Sequence, residues 1–190
     1  MDLSKTLTDG RPFQLLRILT AVSCGIALVF SIGDFAMPSG AAAAAEYQVK
    51  AAFLFNFAKF VEWPANAFAD SSTPLVIGVL GQDPFGSYLS DTLQGESVNN
   101  RRLVVQRFRF VGEIKHCHVL FISRSESDHL EQIVASLKYR GILTVTDAEG
   151  ANSGVIIRFV NEGNKIRFRI DSGAARAANI TISSKLLRLG

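Results

Sequence analysis

The run Leu75-Val76-Ile77-Gly78-Val79-Leu80 passes directly into Gly81-Gln82-Asp83-Pro84-Phe85-Gly86. Six residues without polar alternation describe a strand covered on both faces, which requires helices above and below a largely parallel sheet. The glycine-bearing segment behind it is a turn into a short helix through Leu89 and Leu93. The rhythm recurs downstream, predicting strands at 102–108, 118–122 and 142–146 with a helix over 127–139. The expected fold is α/β, a three-layer sandwich with a mostly parallel sheet and an antiparallel C-terminal hairpin.

That hairpin is read from Val155 to Val160 and Lys165 to Ile170, which flank the turn signal Asn161-Glu162-Gly163-Asn164. Pairing Val160 with Lys165 sets Phe159 against Ile166, Ile157 against Phe168 and Val155 against Ile170, all on one face. The opposite face carries Arg158, Lys165, Arg167 and Arg169, with Arg158 facing Arg167. Like charges so placed are destabilising unless an anion answers them. Such a row either protects a sheet edge from pairing with another molecule or meets an acidic partner surface. Beyond it, 174–178 reads as helical, and Ser183 or Ser184 caps a last turn through Leu186, Leu187 and Leu189.

Upstream, Glu46 to Val61 forms a helix stopped by Glu62-Trp63-Pro64. Tyr47, Ala51, Leu54, Phe55, Ala58 and Val61 make one apolar stripe at helical spacing, and Phe53, Phe57 and Phe60 lie on an adjoining face. One stripe suffices for a core. The second face calls for complete burial or for another chain, and Phe53, Phe57 and Phe60 are expected to contribute to a protein–protein contact.

The first 45 residues differ in kind. Lys5, Arg11 and Arg17 precede an apolar stretch from Ile18 to Ile32, and Ala41 to Ala45 then offers A-x-A cleavage sites. This is the pattern of a secretory signal peptide over 1–45, leaving a domain over 46–190. Fifteen apolar residues span only ~22 Å of helix against a ~30 Å hydrocarbon core, which argues against an uncleaved anchor, and no later segment is long and apolar enough to cross a membrane, so no stable span is expected after cleavage. Of two cysteines, Cys24 falls in the leader, and Cys117 alone remains, too few for an internal disulfide. The whole chain has 190 residues, 48% of them hydrophobic, with 20 basic and 17 acidic side chains intermixed. Nucleic acid is not an expected partner of so balanced a chain.

Enzyme signatures are absent from the sequence: no G-x-S-x-G elbow, CxxC, HExxH or P-loop lysine occurs. His116-Cys117-His118 brings at most two ligands to one side of a strand, so no metal is expected, and no cofactor either. The loop after Leu80, with Gln82 and Asp83, supports a competing reading as a periplasmic small-molecule-binding α/β protein. Arg176 and Arg188 are a candidate pair for a small anionic ligand, or simply two surface arginines.

Four segments taken together carry a resemblance: YQVKAAFLFNFAKFVEWP at 47–64, PLVIGVLGQDPFG at 74–86, HVLFIS at 118–123 and GVIIRFVNEGNKIRFRIDSGAARAANITISSKLLRLG at 154–190. In this order they resemble the YfiR-like family of bacterial periplasmic regulators. The resemblance implies a non-enzymatic repressor that binds the periplasmic sensory domain of an inner-membrane diguanylate cyclase. Holding that enzyme inactive keeps cyclic di-GMP low and restrains biofilm formation; the resemblance also implies a homodimer. The partner contact is expected on Phe53, Phe57, Phe60, Arg158, Lys165, Arg167, Arg169, Leu186 and Leu187. Some relatives carry cysteine pairs that form internal disulfides. With Cys117 alone, redox control of that kind is not expected here.

Overall fold

A computed structural model describes residues 39–150, 154–163 and 165–190. Residues 1–38 of the expected signal peptide lie outside the described residues. Helix α1 (Ser39–Lys59) starts seven residues ahead of Glu46, because the alanine tract extends it at no cost in propensity. That extension is mostly exposed, and burial begins with Lys50 and Ala51. The short strand β1 (Val61–Glu62) follows, and Pro64 ends the segment.

The chain then runs through β2 (Leu75–Leu80), α2 (Tyr88–Leu93), β3 (Ser97–Val98), β4 (Arg101–Phe108), β5 (Val119–Ile122), α3 (Leu130–Leu137) and β6 (Leu143–Thr146). It closes with β7 (Ile157–Glu162), β8 (Lys165–Ile170), α4 (Ser172–Ala177), β9 (Thr181–Ile182) and α5 (Ser184–Leu187). Seven strands form one sheet in the order β3-β4-β2-β5-β6-β7-β8. The neighbours from β4 through β7 pair in parallel, and β3 and β8 join antiparallel at the two edges. Numbered by appearance, the five parallel strands run 2-1-3-4-5, the order of a doubly wound sheet whose switch point lies between β2 and β5.

Every residue of β2, β5 and β6 is buried, as the apolar runs of β2 and β5 require; in β6, Thr144 Oγ1 accepts from the Ile156 N–H and Thr146 Oγ1 donates to the Ile122 carbonyl. One core cluster joins Ile77, Val79, Val119, Phe121 and Val145 to Leu54 and Phe57 of α1. A second, on the opposite side, joins Leu80, Leu120 and Ile122 to Leu130, Ile133 and Leu137 of α3. Alternate side chains of a strand point to opposite faces, so the two clusters are the two interfaces of a three-layer sandwich. Gly78 lets the second interface close: a Cβ there would lie 2.7 Å from Phe108 and 2.8 Å from Cys117 Sγ.

Besides the earlier start of α1, the fold departs from the sequence reading in three further places. β4 is only partly buried, since it has the two-residue β3 as its outer neighbour. The helix expected over 127–139 begins as a 3₁₀ turn at Arg124–His129, where Ser123 Oγ accepts from the Ser125 N–H, and α3 proper is Leu130–Leu137. The hairpin register differs by two residues: Glu162 pairs with Lys165, Phe159 with Phe168 and Arg158 with Arg169. A slip of two keeps each side chain on its face, so the apolar and basic faces stand while the partners change.

Candidate functional site

α1 carries one cation on its buried stripe. Lys50 lies between Tyr47 and Leu54, three and four residues away, and is fully buried. An ammonium in such a place requires partners. Its Nζ donates to Asp147 Oδ2 at 2.5 Å and pairs with Glu46 Oε1 one helical turn back. Asp147 follows β6 directly, and its side chain is 1% exposed. Tyr47 Oη donates to the same Oδ2 at 2.9 Å. Arg124, just past β5, donates from Nε to the Asp147 carbonyl at 3.1 Å and stands 3.3 Å from Oδ2.

Two cations and two carboxylates therefore meet at the carboxyl ends of β5 and β6. Burial alone raises the Glu46 pKa, but the hydrogen bond and charge of Lys50 outweigh it, and the carboxyl titrates below its ordinary value. Burial and the adjacent Asp147 push the Tyr47 phenol well above its usual range, so it stays a donor. Among the described residues, Asp147 Oδ1 is buried without a hydrogen-bond partner. Asp147 borders a cavity of about 270 Å³ whose other walls include Lys50, Arg124, Glu149, Arg158 and Asn161.

The switch point itself is closed. Ser125 Oγ accepts from the Gln82 N–H at 2.9 Å, and Gly81, at φ +86°, leaves its α-carbon face to Ser125 and Glu126. Asp83, the other polar residue of that loop, is engaged with Arg107 at 2.6 Å. The loop after Leu80 is thus filled by its neighbours, and the open cavity lies further along the sheet. Sequence reading passed over Lys50, Arg124 and Asp147; a lysine on an apolar stripe was the signal for the first of them.

The residues expected at a partner contact divide sharply. Phe57 is 0% and Leu186 2% exposed, so both are core, and their expected place at a contact is corrected. The Phe57 ring packs against Phe168 at 5.0 Å and Phe159 at 5.8 Å, and Phe53 joins the same cluster. The Phe-rich second face of α1 is therefore consumed largely by β7 and β8. Phe60 is partly buried against the same core. Lys165, Arg167 and Arg169 are exposed, Arg158 is half-buried, and all four share one hairpin face.

That row is not purely basic, because Glu162 lies 3.7 Å from Arg169. Leu187 is exposed at 42%. The chain end lies on the other side of the hairpin: a Cβ on Gly190 would touch Phe168 and Ile170 at 3.0–3.1 Å. Arg176 and Arg188 are exposed, and among the described residues neither forms an ion pair.

His116 and His118 are also separated. His116 is exposed, whereas His118 is buried, accepting from the Val76 N–H at Nδ1 and bonded from Nε2 to the Ala67 carbonyl at 3.1 Å. Both contacts use the neutral ring with its proton on Nε2. Burial lowers the His118 pKa and raises the Cys117 thiol to about 12. Cys117 is consequently a buried thiol rather than a reactive one.

No curated protein matches the chain. The sequence model of the YfiR/HmsC-like family matches residues 47–190, from Tyr47 of the buried network to the last residue. The chain belongs to the YfiR/HmsC-like family, whose members are periplasmic regulators of diguanylate cyclase signalling rather than enzymes.

Proposed function

We propose that this chain is an exported repressor: a signal peptide over 1–45 is removed, and the domain over 46–190 dimerises and holds the sensory domain of an inner-membrane diguanylate cyclase inactive. Family membership across the whole described domain from Tyr47 onward carries the reading. Among the residues expected at the contact, Lys165, Arg167, Arg169 and Leu187 are the exposed ones. A row of cations on edge strand β8 suits an acidic surface on the cyclase. Such contacts steer encounter and fix register more than they add affinity.

Repression needs state selectivity. A bound protein shifts the cyclase only as far as it prefers the inactive form, and about 2.7 kcal/mol of preference gives a hundredfold shift. Affinity capture of the tagged protein from detergent-solubilised membranes tests the pairing. A diguanylate cyclase recovered with the wild type and depleted with Arg167→Glu is the expected result. Capture that yields no cyclase, from cells shown to express one, contradicts the proposal.

A further inference from the structure

Because β2, β4, β5 and β6 run in parallel, the segments entering these strands lie at one end of the sheet and the segments leaving them at the other. Charge divides between those ends. The leaving segments 81–87, 123–129 and 147–150 carry Asp83, Glu126, Asp128, Asp147 and Glu149 against Arg124, and 109–113 adds one charge of each sign. The segments entering β5 and β6, 114–118 and 138–142, carry Lys115, Lys138 and Arg140 and no carboxylate. Glu62, Asp70 and Glu96 share the entering end, and Lys59, Arg101 and Arg102 offset them.

The two basic segments are tied together. Arg140 Nη2 donates to the Ile114 carbonyl at 2.5 Å, which brings Arg140 beside Lys115. Lys115, Lys138 and Arg140 are exposed, and among the described residues none of them forms an ion pair. Between Lys138 and Arg140 stands Tyr139, 67% exposed and at φ +65°. A bulky residue is uncommon in that left-handed region, and here its ring gains no burial in return.

We propose that this end of the sheet docks on an anionic phospholipid surface, with Lys115, Lys138 and Arg140 facing lipid phosphates and Tyr139 seated at headgroup level. Complementary charge selects the occupant, and the acidic opposite end orients the molecule, since a negative bilayer repels it. Tyr139 narrows the choice to lipid. A ring with an apolar body and a polar hydroxyl suits the boundary between hydrocarbon and water, where flanking Lys and Arg reach the phosphates. At about fivefold for each cation, three of them raise partitioning roughly a hundredfold.

The test is co-sedimentation of the purified protein at ~0.1 M salt with vesicles of equimolar phosphatidylglycerol and phosphatidylcholine, and with vesicles of phosphatidylcholine alone. Partitioning about tenfold or more in favour of the anionic vesicles is expected. Lys115→Gln and Lys138→Gln should each lower it about fivefold. Arg109→Gln removes the same charge at the leaving end of β4. Eight residues of strand at ~3.3 Å each put it about 26 Å away, more than two Debye lengths, so partitioning should not change. Tyr139→Gly should weaken partitioning without lowering the thermal unfolding midpoint, because glycine adopts the positive φ freely.

Absent binding, or equal partitioning onto the two kinds of vesicle, overturns the proposal. So does binding indifferent to both lysine substitutions or equally sensitive to Arg109→Gln. Lysine-dependent binding that ignores Tyr139→Gly would mark a general site for acidic surfaces, an acidic protein among them, and overturns the lipid assignment. The assay contains no cyclase, so a negative result leaves the repressor reading untouched.

Discussion

Lys50 Nζ and Asp147 Oδ2 meet at 2.5 Å in the interior, joining residues 97 apart in the chain. The pair fastens the amino-terminal helix to the end of β6, at the point where the sheet opens into its cavity. Tyr47, Glu46 and Arg124 complete the network around it. Replacing Lys50 with Met removes the charge while keeping most of the volume, and leaves two carboxylates without their central cation. A loss of about 3–5 kcal/mol in urea unfolding is expected. A loss below about 1 kcal/mol would show that the network contributes little to stability.

Phe57 reports on the role of the aromatic face of α1. Its ring is enclosed by Phe53, Phe159 and Phe168, so truncation to Ala should cost about 3–5 kcal/mol. Phe57→Glu should fail to fold as a monomer, because a carboxylate would enter a cluster with no polar partner. A Phe57→Glu protein that remains folded and merely loses self-association would return this residue to an interface.

His118 sets a pH dependence. Its folded pKa lies below the ordinary value of 6.5, with burial as the largest cause. In the window beneath 6.5 the unfolded chain takes up a proton that the native ring refuses, so the unfolded state gains. The stabilising contribution is present above the unfolded pKa and declines as pH falls toward the folded one. Urea unfolding of wild type and His118→Gln from pH 7.5 to 5.5 should show a steeper decline in the wild type. Parallel slopes would assign acid sensitivity to other groups.

The basic row makes a salt-dependent prediction. With a Debye length of ~8 Å at 0.15 M, contacts of exposed Lys165, Arg167 and Arg169 with an acidic partner weaken as salt rises. Association of the protein with the proposed cyclase sensory domain, followed by surface plasmon resonance, should slow for Arg167→Glu at low salt and converge with wild type at high salt. An unchanged rate at low salt would leave edge protection as the role of the row, consistent with β8 lying at the sheet edge.

The parallel sheet was legible because β2 and β5 are short apolar runs bounded by turn residues, whereas β6, Leu143-Thr144-Val145-Thr146, is as fully buried although threonine alternates along it. Hairpin register was less so. Alternation has period two, and any slip by two residues satisfies it, so the pairing of Phe159 with Phe168 could not be read from pattern alone. The burial of Phe57 escaped for a related reason: β7 and β8 cover a helix face that periodicity leaves unpartnered. Lys50 was readable in principle as a charge on an apolar stripe. Its partner Asp147 was not, since nothing local links a residue after β6 to the first helix. The basic residues of the hairpin were placed correctly on one face, but their neighbour Glu162 entered only with the true register.

The claim that the chain restrains a membrane diguanylate cyclase is tested most directly by intracellular cyclic di-GMP. It is measured in a deletion strain, the same strain lacking the cyclase as well, and strains complemented with wild type or Arg167→Glu. Deletion should raise cyclic di-GMP only where the cyclase is present. Wild type should restore the low level, with Arg167→Glu restoring it incompletely. An unchanged level on deletion, with the cyclase expressed and intact, would contradict the account.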